Sequence, residues 1–291
     1  MLVALVAALA AGCGSGGSSG SNTSGSTTGA VTADPTIAAS VPDAIKSKGT
    51  LTVASDGAYP PNEFIGADGK TVEGMDPDLA KALGEVMGLR VRVVVATFDG
   101  IIPGLAAGRY ELGMSSFTDN REREKVVDFV TYFEAKTAFF VKTDGGPAIN
   151  TLADLCGHTV AAQRGTTQAA DATTQNAECK KAGKPGVNVR VFPDQNAANL
   201  ALTSDRGDVG MADLPPAADF VNKSNGQFKL VGEPYGPFPY GIAIPRGNGM
   251  AQPLLDALKV LIANGTYTAI LEKWGVQDGA IDNPVINGAV N

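Results

Sequence analysis

Several residue types are scarce in this chain, and each scarcity narrows the chemistry. There is one histidine, His158, and one tryptophan among 291 residues. A catalytic or structural metal site usually draws on clustered His and Cys, and His158 has only Cys156 beside it, with no second cluster to join. We therefore read it as an ordinary surface or turn residue and expect no metal and no cofactor. Basic residues do not outnumber acidic ones: Lys plus Arg total 23 against 30 Asp plus Glu, for a net charge of −7. Nucleic acid binding wants the opposite balance, so no nucleic acid partner is expected. No apolar run reaches the ~20 residues that a bilayer span needs. The longest, Met1 to Gly12, fits the apolar core of an export signal.

Cysteine is also sparse, with three in all. Leu9-Ala10-Ala11-Gly12-Cys13 is similar to a bacterial lipobox, in which the cysteine is lipidated and becomes the new N-terminus. Ala10 stands where a larger aliphatic residue is usual, and no Lys or Arg precedes the run. A plain secretory signal is the alternative. With Cys13 assigned to a lipid anchor, Cys156 and Cys179 remain as an even pair in an exported domain, where a disulfide is the default. That bridge also disfavours a Cys–His nucleophile.

What the chain does have is alternation. Residues 14–36 begin as a Gly/Ser/Thr-rich tether. Beyond them, strand-like runs such as Thr50–Ala54, Val91–Val95, Val160–Ala162 and Val189–Phe192 alternate with helical stretches. Met75-Asp76-Pro77-Asp78 opens one helix, with Leu79, Leu83 and Val86 on a single face. This order predicts an α/β fold built on parallel sheet. Val127–Val130 and Ala138–Val141 read as two further strands, and the weakly patterned stretch from Gln277 reads as a tail.

In such folds ligands sit beyond strand ends, and three strand ends carry polar residues. Asp56 and Tyr59 follow the first strand. After Leu112-Gly113-Met114 comes Ser115-Ser116-Phe117-Thr118-Asp119-Asn120-Arg121-Glu122-Arg123. Thr118 or Asp119 can cap the turn after it, and Asp119 with Glu122 has capping-box spacing. Backbone N–H groups, the hydroxyls of Ser116 and Thr118 and a planar guanidinium would suit a carboxylate. The alternative is a capped surface helix whose arginines pair only with Glu122 and Glu124. Gln163-Arg164-Gly165-Thr166-Thr167 repeats the device in a second unit, and Asp213 ends a later strand.

Gly74-Met75-Asp76-Pro77-Asp78-Leu79 resembles the signature of the polar amino-acid-binding family of extracellular solute-binding proteins, the capture components of ABC importers. The resemblance continues in register through Phe98–Leu105, Ser115–Arg123, Val127–Phe129, Gly165–Thr167, Asp213, Gly265–Tyr267 and Lys273–Gly275. It implies a two-lobed periplasmic-binding-protein-like fold: two doubly wound sheets joined by two hinge strands. Residues 1–13 would be the signal with its lipobox. Residues 37–137 and 242–276 would form lobe 1, residues 138–241 lobe 2, and 277–291 a C-terminal tail.

The resemblance also implies roles. Arg123, which unlike its rival Arg121 keeps the family spacing to Phe129, would pair with a ligand α-carboxylate, supported by the Ser116 backbone, Thr118 and, from the other lobe, Thr167, and Ser115 would also contact the ligand. Asp213 would hold the α-ammonium, and Tyr59 and Phe98 would flank the side chain. Asp56 would meet a cationic or amide end, with Gln163 reading the side chain. The implied partners are a free amino acid and an ABC permease. The protein is then expected to be a monomer, lipid-anchored on the outer face of the bacterial membrane, and not an enzyme. A cyclohexadienyl-dehydratase-like enzyme on the same fold is the alternative, and it would need an extra acid inside the cleft.

Overall fold

The structure, a computed structural model, describes residues 31–289. The signal, Cys13 and its lipidation, and the tether up to residue 30 lie outside the described residues. The tether expected to reach residue 36 ends sooner. Asp34 caps α1 (Pro35–Ser40) by accepting from the N–H groups of Thr36 and Ile37. Its own N–H donates to the Val86 carbonyl at 2.9 Å. A short α2 (Asp43–Lys46) comes next.

The first lobe is built on β1 (Thr50–Ser55), which pairs in parallel with β5 (Arg90–Val95) and β6 (Leu112–Gly113). A small sheet of β2 (Ala58–Tyr59), β3 (Glu63–Ile65) and β4 (Val72–Glu73) sits beside it. Between them α3 (Met75–Val86) starts at Gly74, whose φ of 131° and closeness to the Asn62 carbonyl admit no side chain. Leu79, Leu83 and Val86 are buried on one face, as their spacing predicts. Then come α4 (Phe98–Ala106) and α5 (Arg121–Glu124). Late in the chain, α9 (Ala251–Ala263) and α10 (Thr266–Trp274), broken at Asn264-Gly265, return to this lobe. Lys273 Nζ and Trp274 Nε1 both donate to Asp78 Oδ2, at 2.6 and 3.0 Å, and tie α10 to α3.

The second lobe runs β8 (Thr159–Gln163), α6 (Thr167–Lys181), β9 (Asn188–Phe192), α7 (Gln195–Thr203), β10 (Val209–Asp213) and α8 (Leu214–Lys223). Cys156 and Cys179 form a disulfide that joins the 3-10 turn at Leu152–Leu155 to the last turn of α6.

Two strands serve both lobes. Val127–Val130 and Ala138–Val141 are not separate strands but the two ends of β7 (Val127–Lys142). It pairs along its length with β11 (Phe228–Pro245). The pair is antiparallel, as are the β11–β6 and β10–β7 contacts, so the parallel sheet expected from the alternation is interrupted at the hinge. Apolar residues bury β7 along most of its length and β11 from Pro239 to Ile244, and the ladders of the two lobes merge in the order β5-β1-β6-β11-β7-β10-β8-β9. The ladder slips in register between Val231 and Gly241, within the Pro/Gly-rich segment that joins the lobes.

Side chains alternate across a strand, and β7 uses this to serve two cores. Phe140 packs with Leu202 and Phe228 on one face, and Phe139 with Val160 and Met211 on the other. In the first lobe the larger core gathers Leu51, Leu79, Leu83, Leu258, Leu261 and Tyr267, and a smaller one gathers Ala54, Ile101, Leu105 and Phe129.

Candidate functional site

Parallel strands end on the same side of each sheet, so the polar residues after β1, β6, β8 and β10 converge. All ten residues singled out from the sequence line one cavity between the lobes. Asp56, Tyr59, Phe98, Ser115, Ser116, Thr118 and Arg123 reach it from the first lobe. Gln163, Thr167 and Asp213 reach it from the second. Glu63, Thr166 and Gln168 join them without having been anticipated. Arg121 is exposed and stays outside the lining.

Arg123 is locked in place. The expected cap at Thr118 or Asp119 is instead Asn120, whose side chain accepts from the Arg123 N–H at 2.9 Å. Asp119 does not cap because its own N–H donates to the Pro239 carbonyl of β11 and its carboxylate is used elsewhere. The guanidinium lies over the stacked rings of Phe98 and Phe117, at 5.4 and 5.3 Å. It donates to the Thr118 carbonyl at 2.7 Å and, across the cleft, to the Gly165 carbonyl at 3.0 Å. Gly165 has φ 79°, and a Cβ there would press on Asp99 of the opposite lobe, so glycine allows this approach. The residue as a whole is half-buried, but its charged end is enclosed deeply enough for burial to lower its pKa to about 10, against the opposing pull of Asp213 and Asp119. It remains a cation at neutral pH.

Asp213 is a buried carboxylate held from three sides. Tyr59 and Tyr240 donate to Oδ2 at 3.1 and 2.7 Å, and Gln168 donates to Oδ1 at 2.8 Å. A carboxylate has about four acceptor positions, so one remains on Oδ1. Burial raises its pKa to about 6, although those donors and Arg123 pull the other way. Asp56 is raised to about 6 as well, first by burial, with Asp194 and Asp99 adding repulsion. Gln163 Nε2 donates to Asp56 Oδ2 from the second lobe.

The serines behave differently from expectation. The Ser116 N–H, expected to face an anion, donates instead to Asp76 Oδ2 at 2.8 Å. Ser116 has a left-handed backbone, φ 51°, uncommon outside glycine. Asp76 and Asn62, which donates to Ser116 Oγ at 2.9 Å, hold it there. The hydroxyls of Ser115 and Ser116 both donate to Glu63, at 2.9 and 3.0 Å. Glu63 is fully enclosed, and burial and the neighbouring Asp76 push its pKa well up. Glu63 opens β3, directly opposite Tyr59 of β2. Gln168 directly follows the Gly-Thr-Thr segment on the first turn of α6. Among the described residues, no group of three or more His, Cys, Asp or Glu is arranged to hold a metal ion.

The sequence profile described as "Bacterial extracellular solute-binding proteins, family 3" matches residues 51–277. The chain belongs to this family. As a member it is an extracytoplasmic solute-binding protein. The arginine-binding protein ArgT of Corynebacterium glutamicum is 34% identical over 254 residues, covering 87% of this chain and 83% of that relative. The L-cystine-binding protein TcyJ of Escherichia coli is 30% identical, covering 79% and 84%. Among solved structures, an ancestral arginine-binding protein bound to arginine superposes with a TM-score of 0.71 at 37% identity, covering 78% of this chain and 98% of that one. These likenesses agree with the two-lobed fold.

Proposed function

We propose that this protein captures a free amino acid with a cationic side chain and presents it to an ABC permease. One observation carries the reading: Arg123 and Asp213 approach a single cavity from opposite lobes. A zwitterion leaving water must have both charges paired, or desolvation defeats binding. Arg123, with Thr118 and Thr167 beside it, takes the carboxylate. Asp213 takes the ammonium through its remaining acceptor position. Each charge sits on a different lobe, so the ligand favours the conformation in which the lobes meet.

The far end of the cavity favours a cation. Asp56 sits there in the field of Asp194 and Asp99. A guanidinium or ammonium replaces Gln163 as its partner and turns that repulsion into attraction. Tyr59 and Phe98 flank the aliphatic stem. The relatives named for arginine support this choice.

The same reading makes the protein a monomeric carrier rather than an enzyme, anchored on the outer membrane face through Cys13. A dehydratase would need an acid free to protonate a substrate. Glu63 lines the cavity, but serine hydroxyls engage both of its oxygens. Palmitate labelling of cells carrying Cys13→Ala tests the anchor, and incubation with prephenate and arogenate tests for turnover.

Isothermal titration with the twenty amino acids tests the ligand class. Arginine or lysine is expected to bind near micromolar, about −8 kcal/mol, and glutamate not to bind. Arg123→Ala is expected to weaken arginine by about 100-fold, roughly 2.7 kcal/mol. Binding equal to that of the parent protein would overturn the assignment.

A further inference from the structure

Residues 281–289 lie beyond the family match, and none of them lines the cavity. They are nonetheless tied closely to the first lobe. Val285 N–H donates to Thr131 Oγ1 and Thr131 N–H to the Val285 carbonyl, both at 2.9 Å. Val130 and Ile286 form a β-bridge. Asn287 N–H donates to the Phe129 carbonyl at 3.0 Å, and Phe129 N–H donates to Asn287 Oδ1 at 2.8 Å. The segment thus covers an edge of β7 in the first lobe, the place that β10 takes beside β7 in the second. An uncovered strand edge leaves backbone groups unpaired, but covering that edge does not require the contacts made by Gly288 and Ala289.

At Asn287 the backbone turns through φ 53°, a left-handed conformation that Asn tolerates. The next two N–H groups then meet two acids. Gly288 N–H donates to Asp119 Oδ2 at 2.7 Å, and Ala289 N–H to Glu124 Oε1 at 3.2 Å. These acids bracket Arg123 in sequence. Asp119 is fully buried, and among the described residues its Oδ1 has no hydrogen-bond partner. The hydrogen bond that the Asp119 carboxylate accepts comes from the tail, and the Glu124 carboxylate lies beside it, while its backbone N–H is fixed to β11. The adjoining Thr118 supplies the carbonyl that orients the Arg123 guanidinium.

We infer that residues 285–289 form a strap that holds the 118–124 segment in register, with Asp119 as the positioning residue through which the strap aims Arg123 at the ligand carboxylate. The inference rests on the assignment of Arg123 to that carboxylate. Asp119 is not itself part of the cavity lining. A strap of this kind acts on one end of the ligand only. The side-chain end, read by Asp56 and Gln163, is built from other elements and does not depend on it.

The test is isothermal titration of L-arginine and L-arginine amide, which lacks the carboxylate. The variants are a chain ending at Pro284, Asp119→Leu and Asp119→Asn, with circular dichroism melts to confirm folding. The parent is expected to prefer arginine over its amide by about 100-fold. Truncation and Asp119→Leu are expected to cut that preference about tenfold while leaving the affinity for the amide within about twofold. Asp119→Asn keeps an acceptor oxygen for Gly288 and is expected to retain the preference. Should Asp119→Leu fail to fold, the truncation, which leaves Asp119 in place, decides. An unchanged preference in the truncated chain overturns the strap, and so does an equal loss for both ligands, which would mean a merely structural role. A parent that does not distinguish arginine from its amide overturns the Arg123 assignment, and the strap with it, before any variant is compared.

Discussion

The first lobe brings a guanidinium, aromatic rings, hydroxyls and the acids Asp56 and Glu63 to the cavity; the second brings Asp213, two glutamines and the hydroxyls of Thr166 and Thr167. Their interiors differ in parallel. The first lobe has an extensive apolar core joining α3, α9, α10 and the hinge, with a smaller one around α4. The second divides its apolar residues between two faces of its sheet and carries the disulfide on one of them. Arg123 therefore sits on the lobe with the larger core, and Asp213 on the lobe with the covalent staple.

This contrast can be broken or sharpened experimentally, beginning with the largest expected effect. Asp213→Ala leaves Tyr59, Tyr240 and Gln168 without their shared acceptor and the ligand ammonium without a partner. Arginine affinity is expected to fall by about 1,000-fold, roughly 4 kcal/mol, in titration calorimetry. A loss below tenfold would show that the second lobe does not supply the counter-charge.

Next comes the Cys156→Ser, Cys179→Ser double variant. Closing a loop of this size contributes about 3 kcal/mol. Hydrogen exchange should show β8 and β9 losing protection while β1 and α3 keep theirs. Uniform loss across both lobes would contradict their independence.

The pH dependence is third in size. Burial raises Asp56 and Asp213 to about 6 in the free protein. A cationic ligand requires both ionised, so affinity falls as pH drops through 6, by about 10- to 100-fold between pH 7.5 and 5. Stability of the free protein runs the opposite way. Folded pKa values above the unfolded value of 3.8 favour the neutral form. Their destabilising contribution is therefore greatest above pH 6 and fades as pH falls toward 4. Affinity that is flat from pH 5 to 7.5 would remove these acids from ligand contact. The smallest expected effect is Arg121→Ala: the side chain is exposed beside the cleft, so arginine affinity should move by less than about twofold. A larger change would reopen the choice between the two arginines.

Much of the candidate site was legible because its residues follow strand ends, and strand ends are local features. Asp56 after β1, Gln163 at the end of β8 and Asp213 at the end of β10 could be placed from apolar runs and the residues that stop them. The choice of Arg123 over Arg121 needed the family spacing, because a four-residue helix has too little periodicity to assign faces. Asn120 was missed as the cap. Capping-box spacing favoured Asp119, and nothing local reveals that Asp119 is held by Gly288, 169 residues away. The hinge was misjudged for a related reason. The runs at Val127 and Ala138 look like two strands because the polar residues between them mark a turn when read alone. Pairing with β11 keeps the segment extended through Lys142.

Residue order by itself was enough to determine the alternation of strands and helices, the Cys156–Cys179 pairing and the set of polar groups at strand ends. Burial patterns, caps and the scarcity of partners are properties of short stretches or of composition. Only the tertiary structure decided which of those groups face each other and which are already occupied. Ser116 turns its N–H to Asp76 rather than to a ligand, Tyr59 reaches Asp213 across 154 residues, and the last residues of the described chain grip the Arg123 segment. Such bonds form between groups that only the folded backbone brings within 3 Å or so. No local pattern encodes that distance, because it is set by how the two lobes pack along a shared pair of strands.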